Sequence, residues 1–479
     1  MNNTLASAVL VAVSVVAAHG QGPDRNQRPR PGSSPMLTPA ILRHQLSNGL
    51  PVWIVEQHEL PVVQMSLQVP VGTDADPPGR YGIASLTSAM LTEGAGAHSA
   101  VEIADALDVL LANLSASSGV DSSFLRLYVP VARLDAALPL MADVWQRPTF
   151  PKPELERLRQ QRLMMLRRAR DDPDAIAALT FARSLYGPSQ RNAAAQIGTV
   201  DSLEAVTAED LEAFHKSAYR LGNSTLIVVG DVEADRALSL LETHFGTWQP
   251  AGAPGVVRAP APAVQRPPRR LMLVDMPDAP QSRILVGGVG ASSSMSDFFP
   301  TQVLNTVLKG RFSSARNPTL RDYTAGVRSG FEIRKSAGPF VVAAAAQGHK
   351  TAESLGEMLN ELTDILKGIP ADELARAKDD SALEFSRIFE ATGRISSRLQ
   401  ALESLVAYDL PDDYYSKYVP AIQAVGADDV QRVAEQYFQP DHLVIAIVGD
   451  RKTIEPPLRA LDIGSITAVS IDEVFAPAR

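Results

Sequence analysis

Between residues 62 and 70 the chain alternates. Val63, Met65, Leu67 and Val69 are apolar at every second position, the pattern of a strand with one buried sheet face. "LPVWIVE" (50–56) reads as the strand before it. From residue 82 the period lengthens. Residues 82–93 and 101–113 read as helices, and "SSFLRLYVP" (122–130) returns to a strand. "VARLDAALPLMADVWQ" and "PELERLRQQRLMMLRRARDD" read as helices with proline-bearing breaks between them. After residue 270 the order starts again, with "SRILVGGVG" (282–290) as a strand and "FPTQVLNTVL" (299–308) as a helix. Sheet and helix mixed in this way, with many antiparallel neighbours, predict an α+β fold.

The second start is a repeat. "AEDLEAFHKSAYRLGNSTLIVVGD" ends at Asp231 and "ADDVQRVAEQYFQPDHLVIAIVGD" ends at Asp450, and the two align without a gap. Each reads as an amphipathic helix, a polar turn, a buried strand and Val-Gly-Asp. A register held over this length points to duplication of a whole domain. "QPAGAPGVVRAPAPAVQRPPRR" separates the copies; so many prolines hold neither a helix nor a central strand. The expected domains are therefore 37–249 and 270–479, joined by a linker at 250–269. At 479 residues the chain is too long for one ordinary core, which agrees.

Charge and composition narrow the function. A net charge of −9 argues against a general nucleic-acid binder, which needs a basic face to displace counterions. Zero cysteines exclude disulfides, thiolate nucleophiles and zinc–thiolate sites. Residues 5–18, "LASAVLVAVSVVAA", are short for a membrane span but suit a signal-peptide core, and Ala18-His19-Gly20 fits a cleavage site. Residues 1–20 are thus expected to be a signal peptide, 21–36 a flexible lead-in, and the mature chain periplasmic or secreted. The n-region "MNNT" has no Lys or Arg, which leaves an uncleaved anchor as the alternative.

Several segments carry a resemblance in their order along the chain. They are Leu46-Ser47-Asn48-Gly49-Leu50, "GIASLTSAML" (82–91), "DDP" (171–173), "GTVDSLEAVTAEDL", "FSSARNPTLRDYTAGVRSGF" and "AGPF". Together they resemble the insulinase/pitrilysin family of inverted-motif zinc peptidases, nearest the bacterial and mitochondrial-processing-peptidase type. The resemblance implies two homologous α+β domains in tandem, forming one half of a clamshell that closes around an unfolded peptide. It also implies a helix with H-x-x-E-H, whose two imidazoles share one face while the glutamate activates zinc-bound water, and a further metal glutamate on a later helix.

The chain departs from that pattern at every ligand. Ser85, Ser88 and Ala89 stand where His, Glu and His are expected, and the later helix reads "QRLMMLRRAR". Glu154 and Glu156 lie upstream and read as a solvated helix face. No two of the eight histidines fall within four residues of each other, so no helix offers a His pair. His98 lies near the empty motif, but Ser99 beside it reads as a helix N-cap, with Glu102 completing a capping box. Neither Ser85 nor Ser88 has a base nearby in sequence to make it a nucleophile. No metal or cofactor is expected in this chain, with zinc only in a partner subunit.

The family also supplies an Arg and a Tyr from the second half to bind the substrate carbonyl. Here "NPTLRDYTAGVRSGF" offers Arg321 and Tyr323. On an extended strand, positions i and i+2 share a face, so both would donate to an oxyanion in a partner's site. The alternative is that Tyr323 packs and Arg321 pairs with a surface carboxylate. Three functions follow. One is a non-catalytic subunit that pairs with an H-x-x-E-H paralogue, or forms a homodimer, around unfolded peptide. The second is a periplasmic peptide-binding or scaffold protein without a catalytic partner. The third is a hydrolase with a site of its own, which no motif supports.

Overall fold

The computed structural model describes residues 40–188, 190–249, 266–293, 296–313, 316–390 and 395–476. The expected signal peptide, the lead-in and most of the expected linker lie outside these residues. No described helix is long and apolar enough to cross a membrane.

Fourteen described strands form two large sheets and one small ribbon. They are β1 Leu42–Gln45, β2 Pro51–Glu56, β3 Val62–Val69, β4 Gly94–Ala95, β5 His98–Ser99, β6 Asn113–Ser118, β7 Ser123–Pro130, β8 Thr225–Gly230, β9 Arg270–Asp275, β10 Gln281–Val289, β11 Thr324–Phe331, β12 Pro339–Gln347, β13 Val444–Gly449 and β14 Ile466–Val469. The first sheet runs β1-β2-β8-β3-β7-β6 and the second β11-β12-β10-β13-β9-β14. Read from opposite ends, five strands correspond one to one. β8 lies parallel to β2 and antiparallel to β3, as β13 lies parallel to β9 and antiparallel to β10. Asp231 and Asp450 each follow that same central strand. The helices before it begin at Ala208 and Ala427, again in step. Even a capping contact is duplicated: Glu56 accepts from the Ala234 N–H at 2.7 Å, and Asp275 from the Arg451 N–H at 3.1 Å. Each carboxylate, at the end of a strand, holds the N-terminus of the helix that follows the central strand.

The copies differ at one sheet edge. β1 comes before β2 and runs antiparallel to it, whereas β14 arrives after β13 and runs parallel to β9. The first helices also end early. The helix expected over 101–113 spans Ala100–Leu110, and Leu111 stops it with a left-handed φ of 52° so that β6 can begin at Asn113. Ser99 and Glu102 form the expected capping box.

Each half covers the other's sheet. The helix Pro173–Tyr186, capped by Asp172, lays Ile176, Ala177, Phe181 and Leu185 on Val274, Val448, Val444 and Ala446 of the second sheet. The helix Ile395–Tyr408 lays Ile395, Leu399, Leu402 and Leu405 on Val55, Ile227 and Val229 of the first. This exchange alters the expected exposure of β3. Its alternating apolar residues face the first core, yet Ser66 and Gln68 on the other face are fully buried as well. They are bonded from the second half: the Ser66 hydroxyl donates to Glu403 at 2.6 Å, and the Gln68 amide N–H to the Glu403 backbone oxygen at 3.1 Å, while Gln68 Oε1 has no partner among the described residues. Arg126 of β7 closes the same carboxylate with two bonds, at 2.6 and 2.8 Å. A buried carboxylate is tolerable only when paired and hydrogen-bonded in this way.

Candidate functional site: a helix without metal ligands and a buried guanidinium

The helix Ile83–Met90 is the one expected to carry metal ligands. It starts at Gly82, whose φ is +89°, and a Cβ there would meet the Ile197 carbonyl oxygen at 2.6 Å. Only glycine fits that approach. The N-terminus is capped from a distance by Asp76, which accepts from the Gly82 N–H at 2.6 Å and the Ala84 N–H at 3.0 Å. Arg191 Nε lies 3.1 Å from the same fully buried carboxylate. Burial pushes the Asp76 carboxyl up to about 6, against the pull of Arg191 and the two backbone donors.

The ligand positions themselves are occupied by protein bonds. The Ser85 hydroxyl lies 2.9 Å from the Gln196 carbonyl oxygen and 3.1 Å from that of Gly82. Arg162, on the helix Lys152–Arg168, donates to Ser85 Oγ at 2.9 Å and to the Ser85 carbonyl oxygen at 2.8 Å. Arg162 belongs to the segment in which the family resemblance places the metal glutamate. Its side chain is buried, and burial pulls it down to about 10 while Asp76 holds it against that. It therefore stays a cation at neutral pH. Ser88 bonds the Ala84 carbonyl oxygen at 3.1 Å and the Tyr219 hydroxyl at 2.7 Å. Ala89 offers only a methyl group, packed against the core.

This set does not fit zinc. Zinc needs three or four lone pairs from N, O or S ligands. Here two hydroxyls are already engaged, the third position has no lone pair, and the fourth presents a positive charge. Among the described residues, no group of three or more His, Asp or Glu could hold a metal ion. The serines are no better placed as nucleophiles, because the strongest neighbour of Ser85 is a guanidinium that cannot accept its proton.

His215, close to Ser88 through Tyr219, belongs to the core. Its ring stacks on Tyr219 with centroids 4.8 Å apart, and Nε2 donates to the Trp145 carbonyl oxygen at 2.9 Å. Burial lowers it to about 4, so it is neutral at pH 7. His98 is exposed. Glu154 and Glu156 form the expected outer face, pairing with Arg157 at 2.6 Å and Arg159 at 2.9 Å.

Sequence reading missed Arg162, Asp76 and Arg191. One signal for Arg162 was present: Leu155, Leu158, Arg162 and Leu166 follow helical spacing, and all four are buried. A lone charge on an apolar stripe has to find a partner inside. A cavity of about 390 Å³ adjoins this region, with walls from both halves that include Asp121, Gln196, Arg334 and Tyr408. Gln196 links it to the former ligand helix through the carbonyl that holds Ser85.

Arg321 and Tyr323 are not on a strand, which corrects the expected shared face. Pro318–Tyr323 is a helical turn, started by Pro318 and by Asn317, whose side chain accepts from the Leu320 N–H at 3.0 Å; β11 begins only at Thr324. Positions i and i+2 of a helix point about 200° apart. Arg321 is exposed and pairs with Asp322 at 3.0 Å, while Lys350 sits over the Tyr323 ring at 4.7 Å.

Two family models match the chain: "Insulinase (Peptidase family M16)" over residues 52–189 and "Peptidase M16 inactive domain" over 205–380. A Helicobacter pylori protein described as "Non-peptidase homolog YmxG" is 23% identical over 87% of this chain and 96% of its own length. The crystal structure of a peptidase M16 inactive domain from Pseudomonas fluorescens matches with a TM-score of 0.77 and 25% identity, covering 86% of this chain and 98% of that one. The periplasmic protease PqqL from Escherichia coli matches in fold, with a TM-score of 0.73 and 16% identity, over 91% of this chain but 51% of its own. Together with the duplicated sheets and the altered ligand helix, these matches identify the chain as a member of the insulinase (M16) peptidase family that lacks the H-x-x-E-H motif.

Proposed function

We propose that this chain is an exported, non-catalytic subunit that pairs with a zinc-bearing H-x-x-E-H paralogue and supplies half of a peptide-degrading chamber. The observation that carries this reading is the former ligand helix, kept in place by Asp76 and Gly82 but bonded to Arg162 instead of a metal. A chain that keeps the fold and lacks the ligands has its value in shape and surface. The match to about half of PqqL supports a two-part chamber, and the periplasmic location of that protein supports export. Zinc then belongs to the partner, and this chain binds no cofactor of its own.

Within this reading Arg321, exposed on its helical turn, is the donor offered to a substrate carbonyl in the partner's site. Tyr323, under Lys350, is the weaker candidate. Their separation onto different faces favours the second reading, a peptide-binding or scaffold protein with no catalytic partner.

Reconstitution with an H-x-x-E-H paralogue, assayed on an unfolded peptide, tests the proposal. The pair is expected to cleave peptide and to stop when zinc is chelated, while this chain alone is inactive. Arg321→Ala is expected to lower turnover of the pair roughly 10²-fold without dissociating it, the usual effect of losing one oxyanion donor. A chain that forms no complex, or that cleaves peptide alone in the presence of chelator, overturns the proposal.

A further inference from the structure

Two helices of the first half leave complementary faces uncovered. On Ala100–Leu110 only Ile103 is buried, while Val101 and Val109 are 68% and 76% exposed, and Leu111 just beyond is 73% exposed. Asp105 and Asp108 stand on the same face, exposed, with no side-chain partner among the described residues. The helix Lys152–Arg168 has the opposite make-up. Met164 and Met165 are 49% and 45% exposed. Arg167 and Arg168 beside them are exposed and have no side-chain partner among the described residues. One face is apolar and acidic, the other apolar and basic.

Both helices are anchored to the segment 93–99. Arg157 pairs with Glu93 at 2.5 Å, the Thr149 N–H donates to the Gly94 carbonyl at 2.9 Å, and Ser99 caps the other helix. Two unmatched carboxylates among exposed aliphatic groups, and two unmatched guanidiniums among exposed thioethers, are therefore carried by neighbouring elements of one chain. Exposed apolar groups gathered like this mark association surfaces, and paired opposite charges fix which surfaces meet.

We propose that Ala100–Leu110 of one copy docks on Lys152–Arg168 of a second copy of this chain. Asp105 and Asp108 meet Arg167 and Arg168, and Val101, Val109 and Leu111 cover Met164 and Met165. Every copy carries both faces, so in the proposed dimer a two-fold axis makes the contact twice and closes the pair. This self-association is separate from the pairing proposed above and does not depend on it.

Sedimentation velocity of the full mature chain, without any partner, tests the proposal. A dimer is expected at low ionic strength, weakening as salt screens the charges. Asp105→Lys with Asp108→Lys is expected to raise the dimer dissociation constant at least tenfold, and so is Arg167→Glu with Arg168→Glu. Mixing the two double variants is expected to restore the dimer, because each variant's altered helix then meets an opposite charge and each unaltered helix keeps its native partner. Misfolding cannot produce that restoration. A wild-type chain that is monomeric at every salt concentration, double variants that dimerise as well as wild type, or a mixture that stays monomeric would each overturn the proposal. So would a chain that associates only with an H-x-x-E-H paralogue.

Discussion

Replacing Arg162 measures how far the helix Ile83–Met90 depends on a built-in cation. Burial pulls the group down from a free guanidinium's value to about 10. At about 1.36 kcal/mol per tenfold change in proton affinity, keeping it charged costs roughly 3 kcal/mol. Against that stand two charge-assisted hydrogen bonds to Ser85, at 2.9 and 2.8 Å. Such bonds are worth about 1.5–3 kcal/mol each. The bonds sum to about 3–6 kcal/mol, so most of the gain is offset, and Arg162→Met, which removes the charge and the bonds together, is expected to cost only about 0–3 kcal/mol. Arg162→Glu behaves differently. It places an anion against the Ser85 carbonyl oxygen and takes from buried Asp76 a cation that attracts it, so about 3–5 kcal/mol is expected to be lost. Urea denaturation at pH 7 gives both values. The Glu variant is further expected to regain stability as pH falls, because a carboxyl destabilised in this way has a raised folded pKa and its penalty vanishes once it is protonated. If the Met and Glu variants unfold within about 0.5 kcal/mol of each other, as independent surface changes do, Arg162 is solvated and the account of the site is wrong.

His215 should make the protein acid-sensitive: neutral in the fold down to about 4 but titrating near 6.5 when unfolded, it contributes stability that is complete above pH 6.5 and lost as pH falls towards 4. That loss is roughly 3 kcal/mol at about 1.36 kcal/mol per tenfold change. Asp76, raised to about 6, acts with the opposite sign, its folded form gaining stability as pH falls through that value, so the difference between wild type and His215→Gln across pH 4–7 isolates the histidine. The wild-type chain is expected to bind no stoichiometric zinc, and neither is Ser85→His/Ser88→Glu/Ala89→His. Adding Arg162→Glu to those three changes is expected to create a zinc site, read by elemental analysis after dialysis. Gly82→Ala is expected to cost more than the about 1–2 kcal/mol of a left-handed conformation, since its Cβ also meets backbone at 2.6 Å; thermal unfolding measures it.

The duplication was legible because its signal is local. A helix, a turn and an all-apolar strand need only their own residues to be recognised, and the identical spacing to Asp231 and Asp450 carries the repeat into three dimensions. The exchange of helices between the halves was not legible. Ser66 and Gln68 are polar at alternate positions, which in a two-layer reading means solvent, and only the arrival of Glu403 from more than 330 residues away makes them interior groups. The shared face expected of Arg321 and Tyr323 was misread for a different reason. The residues are those of the family segment, but Asn317 and Pro318 start a helical turn there, and a turn separates side chains that a strand would align. In the first half the sequence revealed which ligands were missing but not what had replaced them, because Asp76, Arg162 and Arg191 reach one helix from three separate elements.

Those replacements are coupled through burial. Had Ser85 stood opposite a glutamate at 162, a buried carboxylate would have faced the Ser85 hydroxyl and carbonyl oxygen, with Asp76 nearby and no metal to neutralise either acid. Had histidines stood opposite Arg162, the guanidinium would have lost its acceptor at Ser85 Oγ. Serine and arginine satisfy each other: the hydroxyl accepts from Nη1 and donates to a backbone carbonyl, and the charge balances the Asp76 cap at the helix start. The helix that would carry the metal therefore stays in position without one. Return to a metal site requires the ligand helix and position 162 to change together, since either change alone buries an unmatched charge.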